Sequence, residues 1–192
     1  MIREAVITTI AANGAAHITP LGYRLNGEYV VLAPFVPSQT LENLRERRVA
    51  VLNFTDEVRI IAGALTGRRA WPTTPATQVD CPRLADPLAH WELEVESVRE
   101  LLERPEFLCR IVARANHRPF LGFNRAQAAV VELAILVSRL DWLEVEKVQG
   151  EIRYLQIAID KTAGPEEREA WNWLVAAIIA HPRHASSNLS AL

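Results

Sequence analysis

Ser38, Gln39, Thr40 and Asn43 follow Pro37 in one short segment, and Thr8 and Thr9 stand side by side earlier in the chain. Hydroxyls and amides at this density suit the binding of an anion. A helix predicted from Gln39 to about Arg47 opens at Pro37-Ser38. A helix start carries unpaired backbone N–H groups and a partial positive charge, and Ser38 and Thr40 add hydroxyls there, so the segment is a natural seat for a phosphate. The same residues also read as an ordinary N-cap, a first-turn residue and a solvated helix position. The second cluster, Thr8 and Thr9, within the same meander adds weight to the phosphate reading.

Other chemistries lack their signatures. His17, His90, His117, His181 and His184 are scattered, with no HExxH spacing, and there is no GxSxG, no P-loop and no GxGxxG. His181 and His184, near a predicted helix end, fit a favourable interaction with the helix dipole. Cys81 and Cys109 have no CxxC spacing, so the expectation is two unpaired thiols and no metal site.

The elements that must position these residues follow from the apolar pattern. Val6, Ile7 and Ile10 predict a strand, Asn13-Gly14 a hairpin turn, His17 to Tyr23 its return, Asn26-Gly27 a second turn, and Glu28 to Leu32 a third strand. Val49 to Phe54 is apolar on consecutive residues, as in a strand covered on both faces, and Val58 to Leu65 is predicted as the next strand. Pro72, Pro75, Pro82 and Pro87 make the following stretch a loop.

His90 to Val98 alternates, with Trp91, Leu93 and Val95 on one side and Glu92, Glu94 and Glu96 on a face predicted to be solvated. Glu106 to Ala115 alternates too, and its Arg110 and Arg114 suit pairing with that acidic face. The period then changes to 3.6. A helix capped by Asn124 runs to about Leu143, a second from Glu144 to Thr162, and a third, after Gly164-Pro165, from Glu166 to about Ala180.

The order Thr8-Thr9, Pro20-Leu21-Gly22, Ser38-x-Thr40-x-x-Asn43, then a strand ending in Asn53, resembles the split β-barrel flavin-binding fold. More closely the chain resembles the domain-of-unknown-function 447 family, flavoproteins of archaea and methylotrophic bacteria. Phe123-Asn124-Arg125-Ala126, Glu132, Ser138-Arg139-Leu140 and Lys161-Thr162-Ala163-Gly164 are also similar to that family.

The resemblance implies an α+β protein: an antiparallel, Greek-key-like, FMN-binding split β-barrel over 1–122, a three-helix annex over 123–185, and a tail at 186–192. It implies FMN as cofactor and a homodimer, with the flavin site completed by the partner subunit. It carries the phosphate and ribityl role to Thr8, Thr9, Ser38, Gln39, Thr40 and Asn43, a close backbone approach to Pro20, Leu21 and Gly22, and ring or ribityl contacts to Asn53 and Phe54. Trp71, on a proline-stiffened loop, is expected to reach across the interface. No arginine lies inside the Ser-x-Thr-x-x-Asn motif, so charge neutralisation falls to Arg24, Arg45 or Arg69, with no choice among them. Arg125, Glu132, Arg139 and Lys161 read either as solvated helix charges or, for Lys161 and Arg125, as substrate or interface residues.

Composition sets bounds. A chain of 192 residues, 49% apolar and 23% charged, has ample core, and a net charge of −2 offers no basic field for nucleic acid. Glu4 interrupts any signal-peptide layout, and Trp173 to Ala180 is too short to span a bilayer, so the expectation is a cytoplasmic protein without a membrane partner. Three functions follow: an FMN-dependent oxidoreductase, with a pterin or another one-carbon carrier as the associated substrate class; a non-catalytic flavin-binding or flavin-storage dimer; and a scaffold without cofactor. No catalytic residue is assigned.

Overall fold

The computed structural model describes residues 1–185, so the expected tail at 186–192 lies outside the described residues. The fold is α+β. Strands β1 (Ile2–Ile10), β2 (Ala16–Asn26) and β3 (Tyr29–Leu32) form the opening meander, and Gly14 and Gly27 turn it at φ 83° and 60°, where a side chain is strained. Helix α1 (Gln39–Arg47) and strand β4 (Val49–Phe54) follow, then β5 (Thr73–Pro75), β6 (Pro82–Leu84), β7 (Ala89–Arg99) and β8 (Glu106–Asn116). Six strands close an antiparallel barrel in the order β1-β2-β3-β8-β7-β4, and β5 and β6 pair separately. The expected cross-strand charge pairing is present between Glu94 and Arg110, at 2.6 Å.

Alternation along the strands fills the barrel. Ala5 and Ile7 from β1, Ala50 and Leu52 from β4, Leu93 and Val95 from β7, and Phe107 and Cys109 from β8 form one buried cluster, joined by Leu41 and Leu44 of α1. The helix therefore contributes its apolar face to the barrel core while its start stays accessible. Both cysteines are free and buried, and burial pushes each thiol up to about 12, which keeps them protonated.

The residues of the barrel form one compact unit, Met1–Asp56 with Arg69–Phe120; the other comprises Glu57–Arg68 and the chain from Leu121 on. The second contains α2 (Val58–Leu65), α3 (Arg125–Val137), α4 (Val145–Thr162) and α5 (Pro165–Ala180). The strand expected at Val58 to Leu65 is a helix. Its β-branched residues favour a strand, but Val58 and Ala62, one helical turn apart, bury against Ala129, Val130 and Leu133, and the Glu57 side chain accepts the Arg59 N–H. Tertiary packing decides a short apolar run that periodicity leaves open.

The motifs at 124–126 and 161–164 meet inside this helical unit. Asn124 Oδ1 accepts the N–H of Ala126 at 2.7 Å, its Nδ2 donates to the Thr162 carbonyl at 3.2 Å, and the Ala126 N–H also reaches the Thr162 hydroxyl at 3.0 Å. Glu167 accepts the Gly164 N–H at 2.8 Å and the Gln127 amide at 3.1 Å. These motifs therefore satisfy the ends of three helices against one another. Arg125, Glu132, Arg139 and Lys161 lie on the exposed surface.

Candidate functional site

Adjacent residues of a strand face opposite sides, and this divides the two polar clusters. Thr9 points with Ala5 and Ile7 toward the α1 side, where its hydroxyl accepts from Asn43 Nδ2 at 2.9 Å, and Asn43 Oδ1 in turn accepts from Gln39 Nε2 at 2.8 Å. Thr8 points outward, where its hydroxyl accepts from Asn53 Nδ2 at 2.9 Å. The Asn53 carbonyl oxygen accepts the Leu84 N–H at 2.8 Å, and its amide also reaches the Val6 and Val51 carbonyls. Thr8, Thr9, Asn43 and Asn53 are all buried, with their side-chain polar groups engaged by the protein. They position what surrounds them.

The other expected site residues separate into two groups. Ser38, Gln39 and Thr40 open α1. Ser38 is the N-cap and accepts the Leu41 N–H at 3.3 Å, a long contact, while Gln39 is exposed and Thr40 buried. Pro20, Leu21 and Gly22 lie on β2 opposite Val6, Ala5 and Glu4. Leu21 and Phe54 border the barrel core, and Phe54 packs edge-on against Trp91, 4.9 Å between centroids, with Tyr23 the third ring. Arg114 lies 5.2 Å above the Trp91 ring. Along β1, Thr9, beside Asn43 of α1, and Ala5, opposite Leu21, are four residues apart, roughly 13 Å at strand spacing.

The three candidate arginines differ in their surroundings. Arg24 pairs with Glu106, and Arg45 pairs with Glu100 at 2.7 Å. Arg69 has no carboxylate partner among the described residues; it acts on His17, whose pKa burial lowers first and Arg69 second. His17 faces Thr9 across the β1–β2 pair.

Trp71 sits half-buried just before β5. The proline-rich stretch after it folds back on its own barrel: Val79 and Cys81 pack on Val51, and the Cys81 thiol donates to the Thr8 carbonyl at 3.4 Å. We call residues 72–88 the arm. Its anchor is Glu92, which was expected on a solvated face and is instead fully buried. The Glu92 carboxylate accepts the Thr77 N–H and hydroxyl at 2.8 and 2.7 Å, the Gln78 N–H at 2.6 Å and the Val79 N–H at 3.1 Å. His90 Nε2 lies 3.2 Å from the same carboxylate. Burial opposes its ionisation, but the donors of Thr77, Gln78 and His90 outweigh that and hold the carboxyl down at about 2. Alternation along a strand gives the face of a glutamate. It does not reveal that a loop distant in sequence covers that face. Among the described residues no group of three or more His, Cys, Asp or Glu side chains is arranged to hold a metal ion, and no helix is long and apolar enough to cross a membrane.

Comparison with known proteins fits this architecture. A family model described as protein of unknown function (DUF447), N-terminal domain, matches residues 3–118, and its C-terminal counterpart matches residues 124–176. The crystal structure of an FMN-bound DUF447 protein from Methanosarcina mazei aligns over 92% of this chain and 94% of its own, with a TM-score of 0.78 at 18% identity. The 2-nitrobenzoate 2-nitroreductase of Pseudomonas fluorescens aligns over 59% of this chain and 64% of its own, with a TM-score of 0.53 at 25% identity. The styrene monooxygenase flavin reductase of Pseudomonas putida S12 aligns over 62% and 82%, with a TM-score of 0.51 at 20% identity. No curated protein matches the chain in sequence.

Proposed function

The chain belongs to the DUF447 family across both domains of its model, and on that premise we propose that it is an FMN-binding flavoprotein serving an oxidoreduction. The observation that carries the reading is the likeness in fold, over almost its whole length, to a family member that holds FMN. The residues present suit the group. The first-turn N–H groups of α1, the Ser38 hydroxyl and the exposed Gln39 offer donors to a phosphate, and the buried Asn43-Thr9 bond fixes the helix against β1. Arg69 is the cation we favour for the phosphate charge, since Arg24 and Arg45 already face carboxylates. Leu21, Phe54 and Trp91 offer the flavin ring an apolar edge. When bound, the flavin supplies the redox chemistry, and the protein supplies its cradle and cover. A pterin or another one-carbon carrier is the substrate class we favour.

The purified protein, reconstituted with FMN, is expected to absorb at about 450 nm as a flavin does and to gain thermal stability in excess FMN. Anaerobic NADH or NADPH should bleach that band. A colourless protein with no thermal shift overturns the proposal, and a coloured one that no reductant of this class bleaches removes the oxidoreductase part.

The same reading includes a homodimer. The barrel interior is filled by side chains, so the flavin ring must lie outside it, and a broad flat ligand needs a covered slot. A two-fold pair of chains provides two equivalent covers. Light scattering should give twice the 21.5 kDa chain mass; a monomer that binds FMN at full occupancy refutes this part alone.

A further inference from the structure

The arm needs Glu92, but it does not need the proton path that leads away from Glu92. His90, itself 2% exposed, directs Nε2 at the Glu92 carboxylate and Nδ1 at His117 Nε2, 2.8 Å away. The two imidazole planes are 7° apart with centroids 5.0 Å apart. That separation exceeds the N···N distance by about two ring radii, so the rings meet edge to edge in one plane, as a strong hydrogen bond requires. His117 follows the end of β8, is exposed, and is held by its N–H to the Leu88 carbonyl at 2.8 Å.

Bonding logic fixes the tautomers. An ionised Glu92 only accepts, so neutral His90 carries its proton on Nε2 and accepts at Nδ1. His117 must then donate from Nε2, which leaves its Nδ1 bare, with no protein partner among the described residues. A carboxylate orienting a histidine whose remaining nitrogen takes up a proton is the arrangement of a general base, here extended by a second imidazole. Around His117 stand Arg83, Asp86 and Arg118. Arg118 is paired with Asp56 at 3.1 Å and Asp86 at 3.0 Å, whereas among the described residues Arg83 donates to the Leu84 and Ala85 carbonyls and to no carboxylate.

We propose that His117 is the general base of a second site, at the corner of β6, β7 and β8, for a small organic anion whose charge Arg83 meets. A proton leaves water or a substrate O–H for His117 Nδ1. His117 passes its Nε2 proton to His90 Nδ1, and the resulting imidazolium rests on the Glu92 carboxylate. With an ester substrate, the water that loses the proton attacks the carbonyl, the C–O bond to the leaving oxygen breaks, and the proton returns from His90 through His117 to that oxygen, which leaves as the alcohol and regenerates the base. His90 and Glu92 are positioning residues. Burial of its inner edge, then Arg83 and His90, lower the pKa of His117, with Asp86 opposing.

The test compares neutral 4-nitrophenyl acetate with anionic 4-acetoxy-3-nitrobenzoate as probes on the full chain. His117→Ala, a surface change, should lower hydrolysis of the anionic ester by about a hundredfold, the scale of general-base catalysis. Arg83→Gln should remove a preference of about fivefold for the anionic ester, the scale of one exposed ion pair. His90→Gln can still accept from His117 but cannot take its proton; it should lower the rate and move the acid limb of the pH profile upward, which a purely structural residue leaves in place. A His117→Ala rate within twofold of the parent, or an Arg83→Gln variant that keeps the charge preference, overturns the proposal. These two variants decide it even where His90→Gln unfolds.

Discussion

Riboflavin, which lacks the phosphate, is expected to bind this protein at least about a hundredfold more weakly than FMN. A hydrogen bond to a charged group is worth about 1.5–3 kcal/mol, and the opening of α1 offers several donors at once. Ser38 is not strongly committed elsewhere, since its cap contact to the Leu41 N–H is 3.3 Å long. Ser38→Ala with Thr40→Ala should therefore close most of the gap between FMN and riboflavin, while the loss of the cap costs about 1 kcal/mol of stability. Isothermal titration with both ligands, and a melting curve of the double variant, separate these roles. Equal affinities for the two ligands in the parent protein place the phosphate elsewhere. A double variant that no longer folds makes the two hydroxyls structural.

Replacement of Glu92 by Ala is expected to cost about 3–5 kcal/mol, because it leaves the Thr77, Gln78 and Val79 donors of the arm without their acceptor. Urea unfolding should show the loss as a lower midpoint. The pH dependence has a definite sign. The Glu92 carboxyl is held at about 2, below its ordinary value of 4.5. Its contribution is therefore complete above the ordinary value and disappears as pH falls through about 2. Between these limits the parent should lose stability that Glu92→Ala has already lost, so the gap between the two narrows on acidification. A variant within 1 kcal/mol of the parent at neutral pH, where about 3 is expected, shows that the arm is held by its apolar contacts alone.

Much of the fold was legible because its signals are local. The Asn-Gly turns, the alternation of the barrel strands and the caps at Ser38, Asn124 and Gly164 all act over a few residues. The helix at Val58–Leu65 was not legible, because its β-branched composition favours a strand and only burial among other helices reverses that. The site was legible as a list of residue types and not as a geometry. Thr8 and Thr9 read as one cluster, yet they serve Asn53 and Asn43 on opposite faces. His90, Glu92 and His117 carry no local motif. Two neighbouring strands and a distant arm bring them together, and a sequence read along its length does not display that.

Those paired threonines also bear on how the barrel avoids assembling wrongly. From Ala5 to Ile10 the first strand is apolar on both faces apart from Thr8 and Thr9, and a strand of that kind does not by its hydrophobicity distinguish one alignment from its neighbour. Displacement by one residue in one direction brings Ile7 to Asn53; in the other it brings Ile10 to Asn43. Either error takes the hydroxyl acceptor from a buried amide, at about 1–3 kcal/mol, before the ligand or any partner is involved. The two hydroxyls thus serve as a proofreading key for strand alignment, accepting one frame and rejecting the frames on both sides of it.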